Sequence, residues 1–163
     1  MALGLTRLST AFVHMQRASY YRSTLTSMAV NEITVHQLKE LFNGEDVAAS
    51  ESVLTFNDVQ MIDVREPDEL MVANYPSPGM ENMEDRPMIH LPLSTMGDWA
   101  PKVLSGELLD KSKPIVVACK VGQRSMQVCQ WLESQGGFSE LYNLAGGINW
   151  YSSKVDRKVG GPY

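Results

Sequence analysis

The chain has 163 residues, of which 44% are hydrophobic and 20% are charged, so it has the length of one ordinary domain and the composition of a folded one. This composition argues against a disordered chain or a fibrous repeat, and no window approaches the roughly 18 consecutive apolar residues of a membrane-spanning helix. With 14 Lys and Arg residues against 19 Asp and Glu residues, the net charge is −5, which argues against non-specific nucleic-acid binding.

Residues 1–30 have a composition of their own. They contain Arg7, Arg17 and Arg22 but no acidic residue, so all 19 acidic residues lie in residues 31–163. The segment is rich in serine and threonine. Its apolar residues recur at helical spacing along one face of a predicted helix, and basic residues lie on the opposite face. This pattern is typical of an organelle transit peptide, which we predict for residues 1–30, with the mitochondrial matrix favoured and the plastid stroma as the alternative. A plain flexible N-terminus is the competing interpretation, and residues 31–163 are predicted to form the folded domain.

Helix and strand signals alternate along the predicted domain. The capping-box pair of Thr34 and Gln37 marks the start of a helix, and the apolar, β-branched run before Cys119 has the pattern of a central strand. Three prolines and a glycine between residues 72 and 87 predict a long surface loop. Strands that alternate with helices predict an α/β fold, with a parallel sheet covered on both faces. The predicted elements, in chain order, are a helix over 35–42, a strand over 59–64, a helix that opens at Pro67, a strand over 88–91, a helix from Ser94 or Thr95 to about Leu104, a strand over 115–119, a helix over 124–135, a strand over 140–144 and a short helix through Trp150.

Cys119 has the sequence context of a reactive thiol. It ends the predicted central strand, and a loop with Lys120, Gly122 and Arg124 follows before the next helix. Ligands of open α/β sheets bind beyond the carboxyl ends of the strands, and a loop that enters a helix can direct its backbone N–H groups at an anion. Gly122 allows a tight turn, and the two cations add positive charge. We expect these groups to keep much of the thiol as thiolate near neutral pH, ready to attack an anionic substrate; a buried structural cysteine is the alternative.

The other candidate residues are predicted to be structural. Cys129 lies on the following helix near Val128 and Leu132, which indicates a place in the core. Two cysteines in a chain expected in a reducing compartment predict no disulfide. No CxxC motif and no His/Cys cluster occurs in the sequence, so neither a metal site nor a cofactor is predicted.

Four motifs in a fixed order give the chain a family resemblance. They are Asp63-Val64-Arg65-Glu66, the pattern Cys-x-x-Gly-x-Arg-Ser from Cys119 to Ser125, Gly137-Phe138, and Leu144-Ala145-Gly146-Gly147-Ile148-Asn149-Trp150. With these motifs the chain resembles the single-domain rhodaneses, the thiosulfate sulfurtransferase-like family, from about residue 33 to residue 150. The resemblance implies a rhodanese-like α/β fold, with a central, mostly parallel sheet of about five strands and helices on both faces.

The resemblance also implies a reaction. Cys119 would attack the outer sulfur of thiosulfate or a related donor, release sulfite and keep the sulfur as a persulfide, and a thiol, cyanide or a protein would then accept it. Partners would be this small donor and the acceptor, with no nucleic acid and no membrane. Asp63 and Arg65 would form a structural ion pair rather than take part in catalysis. The site would consist of the catalytic Cys119 and the substrate-binding residues Lys120, Val121, Gly122, Gln123, Arg124 and Ser125.

Some features leave alternatives open. The stretch Met71–Met88 replaces a segment that family members usually carry, so we carry nothing over from that segment. Phosphatases, including the related Cdc25-type enzymes, also use a Cys–Arg anion loop, but they place five residues between the two, whereas four separate Cys119 from Arg124. A non-catalytic rhodanese-like module that carries sulfur or binds a protein is the other alternative, and the presence of Cys119 favours the enzyme.

Overall fold

Five parallel strands form the central sheet of the structure, a computed structural model that describes residues 30–76 and 88–163. The described residues contain seven strands in all. In chain order they are β1 (Asn31–Ile33), β2 (Val47–Ala49), β3 (Ser52–Leu54), β4 (Gln60–Asp63), β5 (Ile89–His90), β6 (Ile115–Ala118) and β7 (Leu141–Leu144). The sheet has the order β1-β7-β6-β4-β5, and each neighbouring pair is parallel. The strands β2 and β3 form a separate antiparallel hairpin. Most of the predicted transit peptide (residues 1–29) and residues 77–87 lie outside the described residues.

Five α-helices connect these strands in the described part of the chain. They are α1 (Val35–Phe42), α2 (Pro67–Leu70), α3 (Met96–Ser105), α4 (Gln123–Gln135) and α5 (Gly147–Lys154), with 3-10 turns at Leu93–Thr95 and Arg157–Val159. The predicted capping box at the start of α1 is confirmed, because Thr34 Oγ1 accepts from the Gln37 amide at 3.2 Å and the Thr34 amide donates to Gln37 Oε1 at 2.9 Å. No helix in residues 30–76 or 88–163 combines the length and the apolar character needed to cross a membrane.

Both faces of the sheet are buried, as the alternate residues of β6 show. Val116 and Ala118 belong to one hydrophobic cluster, and Ile115 and Val117 belong to the other. A parallel strand buried on both sides requires helices on both sides, so the predicted α/β fold with two covered faces is confirmed. The helix residues that fill the clusters are Leu38, Leu41, Ile148 and Tyr151 on one face and Trp99, Val103, Val128 and Leu132 on the other.

The structure differs from the sequence prediction in its short elements. The strands β1, β2 and β3 have three residues each, too few to show a periodic pattern, and none of them was predicted. Helix α5 continues to Lys154 instead of ending near Trp150. Thr95 precedes α3 as expected, but its hydroxyl donates to the Pro92 carbonyl at 3.1 Å and does not cap the helix.

The prediction of a surface loop over residues 72–87 is wrong at its start. Ala73 and Tyr75 are buried, and Ala73 forms an antiparallel bridge with Gly160. The Tyr75 ring packs edge-on against Tyr151 of α5, with 5.7 Å between the ring centres. Proline and glycine content indicated the irregular backbone, but it does not report which side chains of that backbone enter the core.

Candidate active site

Cys119 lies at the carboxyl end of β6, the middle strand of the sheet, where the loop to α4 begins. The Gly122 amide donates to Cys119 Sγ at 3.1 Å, and Ser125 Oγ lies 3.3 Å from the same sulfur. Gly122 is the N-cap residue of α4, with a φ of +93° that favours glycine, and Ser125 lies in the first turn of that helix. The structure therefore holds this fully buried sulfur at the positive end of a helix, where negative charge is stabilised.

A series of contacts between polar side chains extends from the Cys119 sulfur to the protein surface. Ser125 Oγ lies 2.6 Å from Asn143 Oδ1, and Asn143 Nδ2 lies 3.4 Å from Glu32 Oε1. Ser125 and Asn143 are buried, whereas Glu32 is exposed. Sequence reasoning missed Asn143 and Glu32, because the parallel pairing of β1 with β7 places them opposite each other. The one available signal was a lone asparagine in an otherwise apolar strand.

The start of α5 fixes the backbone of the active loop. The amides of Ile148 and Asn149 donate to the carbonyl oxygens of Cys119 and Lys120 at 3.0 and 3.1 Å. This close approach depends on Gly147, where a Cβ atom would lie 2.3 Å from the Cys119 carbonyl oxygen. Gly147, one of the paired glycines that the sequence singled out, therefore supports the loop through a close backbone contact.

Tyr75 supports the same loop from the other side. Its hydroxyl donates to the carbonyl oxygen of Cys119 at 3.2 Å. Burial, together with the negative charge of Asp63, raises the pKa of Tyr75 well above its usual value, so the phenol stays a donor. Its position in the predicted surface loop concealed this contact from sequence reasoning.

Other side chains engage the two cations of the loop. Arg124 forms a two-pronged ion pair with Glu69 of α2, at 2.6 and 2.7 Å, and this hydrogen bonding lowers the pKa of Glu69 to about 2. The Lys120 ammonium lies 4.4 Å from the centre of the Tyr163 ring, a cation–π contact. These partners hold both cations beside the loop, and their role in attracting an anionic donor to Cys119 stays a prediction.

Asp63 and Arg65 form the ion pair that the sequence predicted. The Arg65 side chain donates to Asp63 Oδ2 from Nε at 2.9 Å and from Nη2 at 2.7 Å. Its Nη1 donates to the Ala73 carbonyl at 2.7 Å and lies 3.3 Å from the Tyr163 hydroxyl. Burial acts to lower the pKa of Arg65, but the hydrogen bonds and charge of Asp63 raise it above its usual value. The buried pair thus links the end of β4 to the C-terminal segment, to which the sequence assigned no role.

Val121 and Gln123 are exposed and line a surface cleft of about 800 Å³. Gly122, Asn143 and the half-exposed Trp150 line it as well. The amide of Gly122 donates to the Cys119 sulfur, so a residue that lines the cleft also contacts the thiol.

Cys129 lies in the core, as predicted, with Val128 and Leu132 of the same helix. Burial, and then the nearby charge of Cys119, raises the pKa of Cys129 to about 12, so this thiol is protonated at neutral pH. In the part of the chain that the structure describes, no group of three or more His, Cys, Asp or Glu side chains could hold a metal ion.

A family model of the rhodanese-like domain matches residues 34–154, which contain the active loop and all five helices described above. The chain belongs to the rhodanese-like domain family. Crystal structures agree with this fold: that of SSP1007 from Staphylococcus saprophyticus has a TM-score of 0.51 at 24% identity and covers 77% of this chain and 97% of that one.

Curated proteins from a plant and a bacterium are similar in sequence. "Rhodanese-like/PpiC domain-containing protein 12, chloroplastic" of Arabidopsis thaliana is 44% identical over 103 residues, which are 63% of this chain but only 30% of that protein. "Putative sulfurtransferase YtwF" of Bacillus subtilis (strain 168) is 31% identical over 131 residues, 80% of this chain and 99% of that protein. This rhodanese domain thus has sulfurtransferase-like relatives and spans less than a third of the Arabidopsis protein.

Proposed function

We propose that this rhodanese domain is a sulfurtransferase that moves a sulfane sulfur from thiosulfate or a related donor to a thiol, cyanide or protein acceptor through a persulfide on Cys119. The observation that carries this proposal is the placement of Cys119 Sγ, 3.1 Å from the Gly122 amide at the N-terminus of α4. Both the attacking thiolate and the persulfide are anions, and this environment stabilises anions. The name of the Bacillus relative agrees with this class of reaction.

The reaction has two balanced steps. In the first, the Cys119 thiolate attacks the outer sulfur of thiosulfate; a new S–S bond forms, the donor's own S–S bond breaks, and its electron pair leaves with sulfite. In the second, a nucleophilic acceptor attacks the outer sulfur of the persulfide, and the electron pair of the broken bond returns to Cys119 as a thiolate. No net oxidation or reduction is required, and no cofactor takes part.

The surface cleft provides a route to the sulfur. Gly122 lines this cleft, and its amide donates a hydrogen bond to Cys119 Sγ. A sulfur donor bound in the cleft would therefore be separated from the thiol by Gly122. Because Cys119 is fully buried, attack requires a local opening that exposes its sulfur while the Gly122 amide stays in place. We therefore propose that donor binding and this local opening occur together.

Mass spectrometry of the purified protein after incubation with thiosulfate tests the proposal. We expect a gain of one sulfur atom on the peptide that contains Cys119, and the loss of this sulfur when cyanide is added. The Cys119→Ser variant serves as the control and should gain no sulfur. A wild-type protein that stays unmodified, or that gains sulfur on Cys129 instead, contradicts the proposal.

The same preparation separates the two alternatives. A non-catalytic carrier would gain the sulfur but release it no faster with cyanide than a small-molecule persulfide does. A phosphatase would hydrolyse a phosphate monoester faster than it transfers sulfur, and the four-residue spacing between Cys119 and Arg124 argues against that outcome.

We also propose that residues 1–30 are a transit peptide and that the compartment is the plastid stroma. The Arabidopsis relative is chloroplastic by name. That relative argues against the mitochondrial matrix, which the sequence alone favoured, and supports the plastid alternative.

A further inference from the structure

We propose that Asn143 is a positioning residue for sulfurtransfer: its amide, oriented by Glu32, decides whether the Ser125 hydroxyl donates its hydrogen to the Cys119 sulfur. The inference rests on the proposed function for its role in the reaction. Its evidence is the chain of contacts from Cys119 through Ser125 and Asn143 to Glu32.

The Ser125 hydroxyl has one hydrogen and two neighbouring atoms that could accept it in a hydrogen bond. Its oxygen lies 2.6 Å from Asn143 Oδ1 and 3.3 Å from Cys119 Sγ. An amide oxygen accepts but cannot donate, so the short contact requires the hydrogen to lie toward Asn143. The Cys119 sulfur then faces the lone pairs of Ser125, which do not stabilise a sulfur anion.

Glu32 fixes which way the amide points. Asn143 Nδ2 donates toward Glu32 Oε1, and the two residues are opposite each other in the pairing of β1 with β7. Reversal of the amide would set its oxygen against the Glu32 carboxylate and its NH₂ group against Ser125 Oγ. In that reversed orientation the Ser125 hydrogen is free to bind the sulfur anion. The contact with Glu32 therefore holds Ser125 in the orientation that does not donate to the sulfur anion.

This chain of contacts connects the sulfur to a surface that a ligand can reach. Glu32 is exposed, and both Glu32 and Asn143 line the cleft beside the active loop. A ligand in the cleft that binds the Glu32 carboxylate would release the amide, and Ser125 could then turn to the sulfur. Entry of a substrate and stabilisation of the sulfur anion are thereby linked through one amide.

The test measures how fast iodoacetamide alkylates Cys119 at a fixed, neutral pH, with the site of modification read by mass spectrometry. This rate depends on the thiolate fraction and on exposure of the buried sulfur, whether or not the protein transfers sulfur, and the Ser125→Ala background separates the two. Asn143→Leu removes the competing acceptor, and we expect alkylation about tenfold faster, the effect of one additional hydrogen bond to an anion. Asn143→Asp offers acceptor oxygens only, and we expect it to slow alkylation.

Repeating these changes with Ser125→Ala shows whether the hydroxyl carries the effect. Without that hydroxyl, Asn143→Leu should no longer change the rate. A folded Asn143→Leu protein with unchanged or slower alkylation overturns the proposal, and so does an increase of equal size in the Ser125→Ala background. If Asn143→Leu does not fold, Glu32→Gln replaces it, because the glutamine amide can donate to a reversed Asn143. An increase with Glu32→Gln that disappears with Ser125→Ala supports the proposal, whereas one that persists reflects the lost charge and overturns it.

Failure of the proposed function would look different. A protein that shows these alkylation rates but gains no sulfur from thiosulfate would retain the positioning role of Asn143 and lose the sulfurtransferase assignment. A protein that forms the persulfide with all variants alike would retain the assignment and lose the role of Asn143.

Discussion

The two cysteines of this domain differ in their surroundings rather than in their chemistry. Cys119 ends a strand and meets an amide donor at the start of α4, whereas Cys129 sits inside that helix and faces the core. Burial raises the pKa of Cys129 to about 12, which leaves almost no thiolate at neutral pH. Under the proposed function the nucleophile is therefore the cysteine at the strand end, and the order of the elements places Cys119 there.

This difference predicts opposite outcomes for two serine variants. Cys119→Ser should abolish thiosulfate:cyanide sulfurtransfer without a loss of fold, because a hydroxyl is neither a thiolate nor able to hold a persulfide. Cys129→Ser should retain most activity but lower the free energy of unfolding by about 1–3 kcal/mol, since it buries a hydroxyl in an apolar cluster. Sulfurtransfer assays and urea unfolding of both variants provide the measurements. A folded but inactive Cys129→Ser protein would reverse the two assignments.

The ion pair of Glu69 and Arg124 predicts a dependence of stability on pH. The pKa of Glu69 falls from 4.5 to about 2 on folding, so its ionised form stabilises the native state. This contribution is complete above pH 4.5 and disappears as the pH falls to about 2. Glu69→Gln should therefore lower the free energy of unfolding by about 1–2 kcal/mol at neutral pH and progressively less through that acidic range. Asp68→Asn, which removes the neighbouring carboxylate and leaves the pair with Arg124 intact, is the matched control for urea unfolding at each pH.

At the scale of helices and strands, the sequence predicted the elements whose own residues carry the signal. The strand before Cys119 is a run of β-branched residues, and α1 has a complete capping box. The short strand β1 has no such pattern and exists because it pairs with β7. The site divides in the same way: the loop from Cys119 to Ser125 is one contiguous motif, whereas Glu69, Asn143 and Tyr163 reach it only through the packing of separate elements.

The junction between α5 and the active loop predicts the effect of one methyl group. In Gly147→Ala the new Cβ would lie 2.3 Å from the Cys119 carbonyl oxygen, at a φ of +54°. We expect a loss of at least about 3 kcal/mol in the free energy of unfolding, or misfolding of the loop, together with a loss of sulfurtransfer. Gly136→Ala is the control, because its φ of +71° is also positive but no atom lies within 4 Å of the new Cβ. That variant should cost about 1–2 kcal/mol and keep its activity. Equal losses in both variants would mean that backbone strain, and not contact with the loop, accounts for the effect of Gly147→Ala.

At the scale of the whole molecule, parallel strands bring distant residues to one edge of the sheet. Cys119 follows β6, Asp63 ends β4, and the glycine pair at the start of α5 follows β7, so all of them meet at the carboxyl ends of neighbouring strands. The C-terminal residue Tyr163 closes this edge, since its hydroxyl lies 3.4 Å from Glu69 and its ring contacts Lys120. One continuous edge thus combines the thiol, its backbone support and the charged groups around it.

The contrast in charge between the two parts of the chain predicts where the protein goes. Residues 1–30 carry arginines without any acid, whereas every acidic residue lies in residues 31–163. Fused to a fluorescent reporter in plant cells, residues 1–30 should deliver it to plastids, because an acid-free, hydroxyl-rich segment is typical of a transit peptide. Replacement of Arg7, Arg17 and Arg22 by glutamate should leave the reporter in the cytosol. Residues 31–163 alone should fold and transfer sulfur at the rate of the full chain, since every buried residue of the core clusters in the described part of the chain lies within them. A mitochondrial signal would contradict the plastid assignment, and a diffuse cytosolic signal from the unaltered segment would contradict the transit peptide itself.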